Sequence, residues 1–167
     1  MSTSFRTRGP FEIRLVKNKR LIRPGCPEFR FKPKVDELAS QRGCYLFAIR
    51  AGKGITPVYI GKATKNFKQE CFAPSKIAYH YGPALLEYKK GRPALFLVVL
   101  KRTKGKVNKR AIAKVELFLI QNAMKKNSDL SNIKGKREER WSIGGVIRSG
   151  KGKVSAEAKA FKAAMGL

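Results

Sequence analysis

Seven consecutive apolar residues, Ala94-Leu95-Phe96-Leu97-Val98-Val99-Leu100, stand in a chain where 38 of 167 residues are lysine or arginine. A run of strand length without polar alternation has no side to offer water, which predicts a central strand covered on both faces. Two further strands are expected nearby in the sequence. Cys44 to Ile49 is apolar and bounded by Gly43, and Thr56 to Ile60 returns after Gly52-Lys53-Gly54, so an antiparallel hairpin is the economical pairing. The cover comes from helices. The strongest spans Asn108 to about Met124, with Ile112, Val115, Phe118, Leu119 and Ile120 as its apolar face and Lys125-Lys126 at its C-terminal end. The order of elements gives an α+β fold, a small mixed or antiparallel central sheet flanked by helices.

Flanking segments complete the expected organisation. Residues 1–40 read as a basic extension packed on or flanking the core, with a short strand at Phe11 to Val16 and a turn at Pro24-Gly25. Residues 41–167 form the main domain, in one domain overall. A helical piece is expected at Val35 to Ser40, and another from Asn66 to Cys71 that breaks at Pro74 and resumes with Ser75 as N-cap. A helix follows from Ala84 to Lys90, and a loop from Asn127 to Gly135. Trp141 to Ile147 is expected as a strand or hairpin edge, and Ser155 caps a last helix ending at Met165.

The charge narrows the partner. Against 38 basic residues stand only 11 acidic ones, a formal charge of +27, and such a surface calls for a polyanion. With 43% hydrophobic residues the chain buries a core instead of forming a basic tail. Nucleic acid is the expected partner. A membrane is not, because no apolar run approaches the roughly 18 residues of a spanning helix. The N-terminus carries Arg6 and Arg8 but no apolar signal region, which points to a cytoplasmic protein. Cys26, Cys44 and Cys71 make an odd set without a C-x-x-C pair, so reduced thiols and no disulfide are expected.

Three side chains carry candidate chemistry. Tyr45 and Tyr59, on one face of the hairpin, bring two phenols together, where they can hold or deprotonate a water near a phosphate. A phenol with its usual pKa near ~10 needs a neighbouring cation to act at neutral pH, and Lys62 or a metal ion is the candidate. Glu116 sits between Val115 and Leu117 with Ile112, Ala113, Leu119 and Ile120 a turn away. An isolated carboxylate there needs either a partner lysine or a narrow solvent stripe. The functional alternative is a single oxygen ligand for Mg²⁺ or Mn²⁺, which take one or two carboxylates and complete their shell with water and phosphate.

Gly43-Cys44-Tyr45, Val58-Tyr59-Ile60-Gly61-Lys62, Glu116 in its helix and Asn132 beyond it together resemble the GIY-YIG nuclease family over roughly Gly43 to Asn132. The resemblance implies Tyr45 and Tyr59 as motif tyrosines, Gly43 and Gly61 as motif glycines, Glu116 as metal ligand and Asn132 as the loop asparagine. It implies a metal-dependent endonuclease acting on DNA. Cys44 stands where the family has isoleucine. The family's arginine, expected on the helix after the second motif, has no counterpart, for no arginine occurs between Lys53 and Lys90. A transition state with charge on phosphoryl oxygens still needs a cation, which Lys76 or Lys68 can supply without the bidentate fork. His80 and Tyr79 are candidates for lining the same cleft.

Basic segments flank this set in sequence. Lys101, Arg102, Lys104, Lys106, Lys109 and Arg110 precede Glu116, and Lys134, Lys136, Arg137 and Arg140 follow Asn132, giving a candidate sequence-independent phosphate track together with Lys62. Two other readings fit the same sequence: a non-catalytic nucleic-acid-binding protein on this scaffold, favoured by the missing arginine, and an RNA-bound structural protein, favoured by the charge alone.

Overall fold

The apolar run is the inner strand β4 (Arg92–Leu100) of a four-stranded sheet. The computed structural model describes residues 3–16, 21–22, 36–101, 107–132, 134–135, 146 and 154–166. These fall in two compact units, Met1–Lys136 and Arg137–Leu167. In the first, β1 (Phe5–Glu12), β2 (Gly43–Ala51) and β3 (Gly54–Ala63) join β4 in the order β1-β4-β2-β3, every pair antiparallel. The hairpin of β2 and β3 forms as expected. Gly52, at φ 55°, takes the left-handed backbone that its two-residue turn with Lys53 requires. The fold is α+β.

Two cores lie on the two sides of the sheet. Tyr45, Phe47 and Ile49 of β2 and Leu95, Leu97 and Val99 of β4 pack with Phe67, Phe72, Tyr81 and Leu85. The opposite side carries Leu46 and Ile60 against Ile120, Leu130 and Leu119. That second cover is α5 (Lys109–Lys126), whose N-cap Asn108 accepts from the Ala111 N–H at 2.9 Å. Phe118 does not belong to its apolar face. It is 63% exposed, because it lies about 120° around the helix from Ile112 and about 160° from Ile120, which are buried. Cover of β4 is also unequal, since Phe96, Val98 and Leu100 are only half-buried.

Three local expectations are corrected. The first strand runs Phe5–Glu12 instead of Phe11 to Val16, because pairing with β4, from Phe5 opposite Leu100 to Glu12 opposite Ala94, outweighs apolar alternation. Ser75 is not an N-cap: the cap is Ala73, two residues earlier, and α3 (Pro74–Lys76) begins with Pro74, whose missing N–H costs nothing in the first turn. The chain then continues without a break through a π-helical turn (Ile77–Tyr81) into α4 (Gly82–Glu87), which ends before Lys89 and Lys90.

Shorter elements are α1 (Asp36–Ala39) and α2 (Phe67–Cys71), the latter capped by Asn66, whose side chain accepts from the Gln69 N–H at 2.8 Å. In the second unit, α6 (Ala156–Met165) has Ser155 as N-cap, as expected, and Gly166 closes it with the left-handed φ of 67°. Cys44 and Cys71 are buried free thiols. Cys26, Arg102, Lys104, Lys106, Lys136, Arg137 and Arg140 lie outside the described residues, as does the expected strand at Trp141 to Ile147 apart from Val146.

Candidate functional site

Strand β3 is an edge strand, and the chemistry gathers along it. A register shift between Phe47 and Ala48 leaves Val58 as the extra residue, so the consecutive Val58 and Tyr59 both enter the first core. Pro57, which has no N–H to donate, is tolerated beside this bulge. Beyond it the strand alternates regularly. Tyr59 and Gly61 share the face of Tyr45, while Ile60 and Lys62 share the face of Cys44, Leu46 and α5.

On the tyrosine face, Tyr59 is the centre of a compact cluster. The Lys76 ammonium donates to its hydroxyl oxygen at 2.8 Å and lies 5.1 Å from its ring centroid. The His80 imidazole stacks on it at 3.9 Å, with the rings 18° from parallel. The π-helical turn is what permits this. It directs the adjacent His80 and Tyr81 both at the sheet, so that Tyr81 stacks on Phe47 at 4.0 Å while His80 takes Tyr59. His80 Nδ1 lies 2.7 Å from Ser131 Oγ. Burial, and next the Lys76 charge, hold its pKa below the ordinary 6.5 against a smaller opposing effect of Ser131. The imidazole is therefore neutral at pH 7. Tyr79, the preceding residue, is 74% exposed.

Tyr45 differs from Tyr59 despite the ring-centroid distance of 6.2 Å between them. It is fully buried, its hydroxyl donates to the Glu70 carbonyl at 3.4 Å, and burial above all drives its pKa well above the usual tyrosine range. Tyr59 is buried as well, at 7% exposure, but its hydroxyl meets the Lys76 ammonium instead of a backbone carbonyl. Lys68 is exposed on α2 and makes no bond to the Tyr59 cluster, so of the two candidate lysines the structure brings Lys76 to the tyrosine.

On the other face, Lys62 reaches Glu116 of α5, Nζ to Oε2, at 2.6 Å. Lys62 thus serves Glu116 and not the phenols, and the glutamate's partner is a lysine. The Cys44 thiol, which donates to the Ile112 carbonyl, is pushed up to about 12 by burial and then by the Glu116 charge, with Lys62 opposing. It is inert packing between β2 and α5.

The loop after α5 seals part of the edge. Asn132 accepts from the Ile60 N–H at 2.9 Å and donates to the Ile60 carbonyl at 2.7 Å, imitating a strand neighbour. Ser131 N–H donates to the Val58 carbonyl, and the Asn127 amide to that of Pro57. The seal ends at Ile60. By strand alternation the backbone N–H and C=O of Lys62 also point outward, and no described residue pairs with them. Lys62–Glu116 lies on one face of the open stretch, while Tyr59, with Lys76 and His80, lies on the other face of β3 beside the sealed stretch, His80 meeting Ser131 of the seal. Arg42 adds a guanidinium to the open stretch, its Nε donating to the Lys65 carbonyl at 2.8 Å just past the strand. Sequence reasoning missed Arg42, because it precedes β2 and only the sheet brings it to the end of β3.

Gly43 and Gly61 have steric roles. Gly43, at φ 150°, would place a side chain 2.0 Å from the Val98 carbonyl oxygen. The remaining candidates, Lys101, Lys109, Arg110 and Lys134, are exposed.

As a cation ligand Glu116 offers one carboxylate, Oε2 held by Lys62 and Oε1 bonded to no described residue. Among the described residues no three histidine, cysteine, aspartate or glutamate side chains converge. Such a donor set suits a hard, water-rich ion taking a single carboxylate oxygen, not a caged one. No family model, curated protein or solved structure matches this chain.

Proposed function

We propose that this chain is a metal-dependent, GIY-YIG-like endonuclease that hydrolyses DNA phosphodiester bonds at the open end of β3. The observation that carries the reading is the grouping of Tyr59, Lys76 and His80 on one face of the edge strand β3 and Lys62–Glu116 on the other, where the edge past Ile60 is open. The antiparallel tyrosine hairpin, the placement of Asn132 against Ile60 and the formal charge of +27 support it.

The residues divide the work by chemistry. Lys76 donates to the Tyr59 oxygen, which directs the phenol O–H toward a water or phosphate oxygen. Neutral His80, in the tautomer that would give Nδ1–H to Ser131 Oγ, would keep the Nε2 lone pair for the proton of an attacking water. Arg42, Lys62 and Lys76 supply positive charge where phosphoryl oxygens gain negative charge, in place of the absent helix arginine. A magnesium or manganese ion on Glu116 would supply Lewis-acid polarisation of the phosphoryl oxygen. Tyr45 positions the cluster from the core and takes no proton.

Lys62 on Glu116 Oε2 favours a second reading, a nucleic-acid-binding protein that keeps the scaffold without cleaving. Incubation of plasmid DNA, single-stranded DNA and RNA with Mg²⁺ or Mn²⁺ separates the two, comparing the parent with Glu116→Gln. Cleavage by the parent and binding without cleavage by the variant supports the nuclease. Binding without cleavage by both rejects it.

A further inference from the structure

At the other end of the sheet a cleft of about 400 Å³ opens over Ala94 and Gly52, with Arg50, Lys90, Arg92 and Glu12 on its walls. Arg50 and Arg92 are register partners on β2 and β4, so their side chains leave the same face directly opposite one another. Like charges in that relation disfavour the pairing. The compensation present is slight. Arg92 makes a 3.7 Å ion pair with Glu12 in which both side chains are largely exposed, and Arg50 makes no ion pair or hydrogen bond among the described residues. Three cations and one carboxylate leave the cleft a net of two positive charges.

We propose that the Arg50–Arg92 cleft binds a phosphoryl group. Two guanidinium forks held side by side by the strand register match the planar, bidentate geometry that phosphate oxygens accept, and an anion between them removes the repulsion. Small floor residues leave room for the group. The site is distinct from the open end of β3: Arg50 lies six positions along β2 from Cys44, the register partner of Lys62, or roughly 20 Å at strand rise. The phosphoryl group comes either from a nucleic-acid backbone spanning both places or from a free phosphorylated compound.

The test compares the full chain, Arg50→Gln/Arg92→Gln, and the control Lys125→Gln/Lys126→Gln, which removes equal charge from the end of α5. Thermal unfolding is followed with and without inorganic pyrophosphate, and affinity for a 30-base-pair duplex is followed against salt. The expected result is a pyrophosphate-dependent rise in Tm in the parent and control that the arginine variant loses, without loss of stability in the absence of anion. A backbone source also lowers the salt slope of duplex binding by about 2 in the arginine variant relative to the control. An unchanged slope with the Tm effect lost assigns the site to a free phosphorylated compound. The proposal is overturned if the arginine variant keeps both the parent's Tm rise and its slope, or if the control loses as much as the arginine variant.

Discussion

Gly61 and Tyr45 are fitted to one another across the β2–β3 pair: a Cβ on Gly61 would lie 2.5 Å from both the phenol oxygen and the ring carbon that bears it. The absence of a side chain at position 61 leaves the space that the Tyr45 ring fills. Gly61→Ala is therefore expected to destabilise the fold by about 1–3 kcal/mol through overpacking around a fully buried ring. Urea unfolding with a lowered midpoint and unchanged slope checks it; an unchanged midpoint would show that the ring moves aside freely.

Asn132 holds both backbone groups of Ile60 at a buried position. Asn132→Ala leaves a donor and an acceptor without partners, at about 1–3 kcal/mol each where water cannot replace them. The Ile60 amide should exchange with solvent much faster in the variant, measured by hydrogen exchange, while β4 amides keep their order of protection.

His80 is the only histidine in the chain, so its ring titrates without overlap in an NMR spectrum. Its pKa is expected below 6.5 in the native protein and higher in Lys76→Met, which removes a nearby cation. The unfolded state binds the proton more readily, so His80 costs no stability above the unfolded pKa and progressively destabilises the fold as pH falls through 6.5 toward the native pKa. A native value at or above 6.5 would contradict the burial and the Lys76 contact.

Cleavage should depend on Glu116 more than folding does. The ion pair with Lys62 involves a side chain 45% exposed, so Glu116→Gln is expected to shift stability by less than about 1 kcal/mol. Its cleavage rate should fall by roughly two to three orders of magnitude, the scale of several kcal/mol of lost charge stabilisation. Single-turnover cleavage alongside thermal unfolding gives both numbers, and parallel losses would make Glu116 structural.

Local chemistry made some of this legible. The hairpin followed from two apolar runs around Gly52, and α5 from its spacing and Asn108 cap. What the sequence could not reveal depends on distant partners. The Val58 bulge decides which face Tyr59 takes, yet appears only once β2 and β3 are in register. The pairing of Lys62 with Glu116 across 54 positions, and the arrival of Arg42 beside Lys65, are products of the sheet. Phe118 was misplaced because apolar identity was read without its angle around the helix.

Strand β1 has one partner in the sheet, β4, and Phe5 meets Leu100 only after roughly two-thirds of the first unit intervenes. Closing so large a loop is entropically slow. The hairpin of β2 and β3 can zip locally, but the edge of β4 must stay bare until β1 arrives. During that interval an apolar strand with unpaired backbone groups is available to any neighbouring chain, so the yield on refolding should fall steeply with protein concentration.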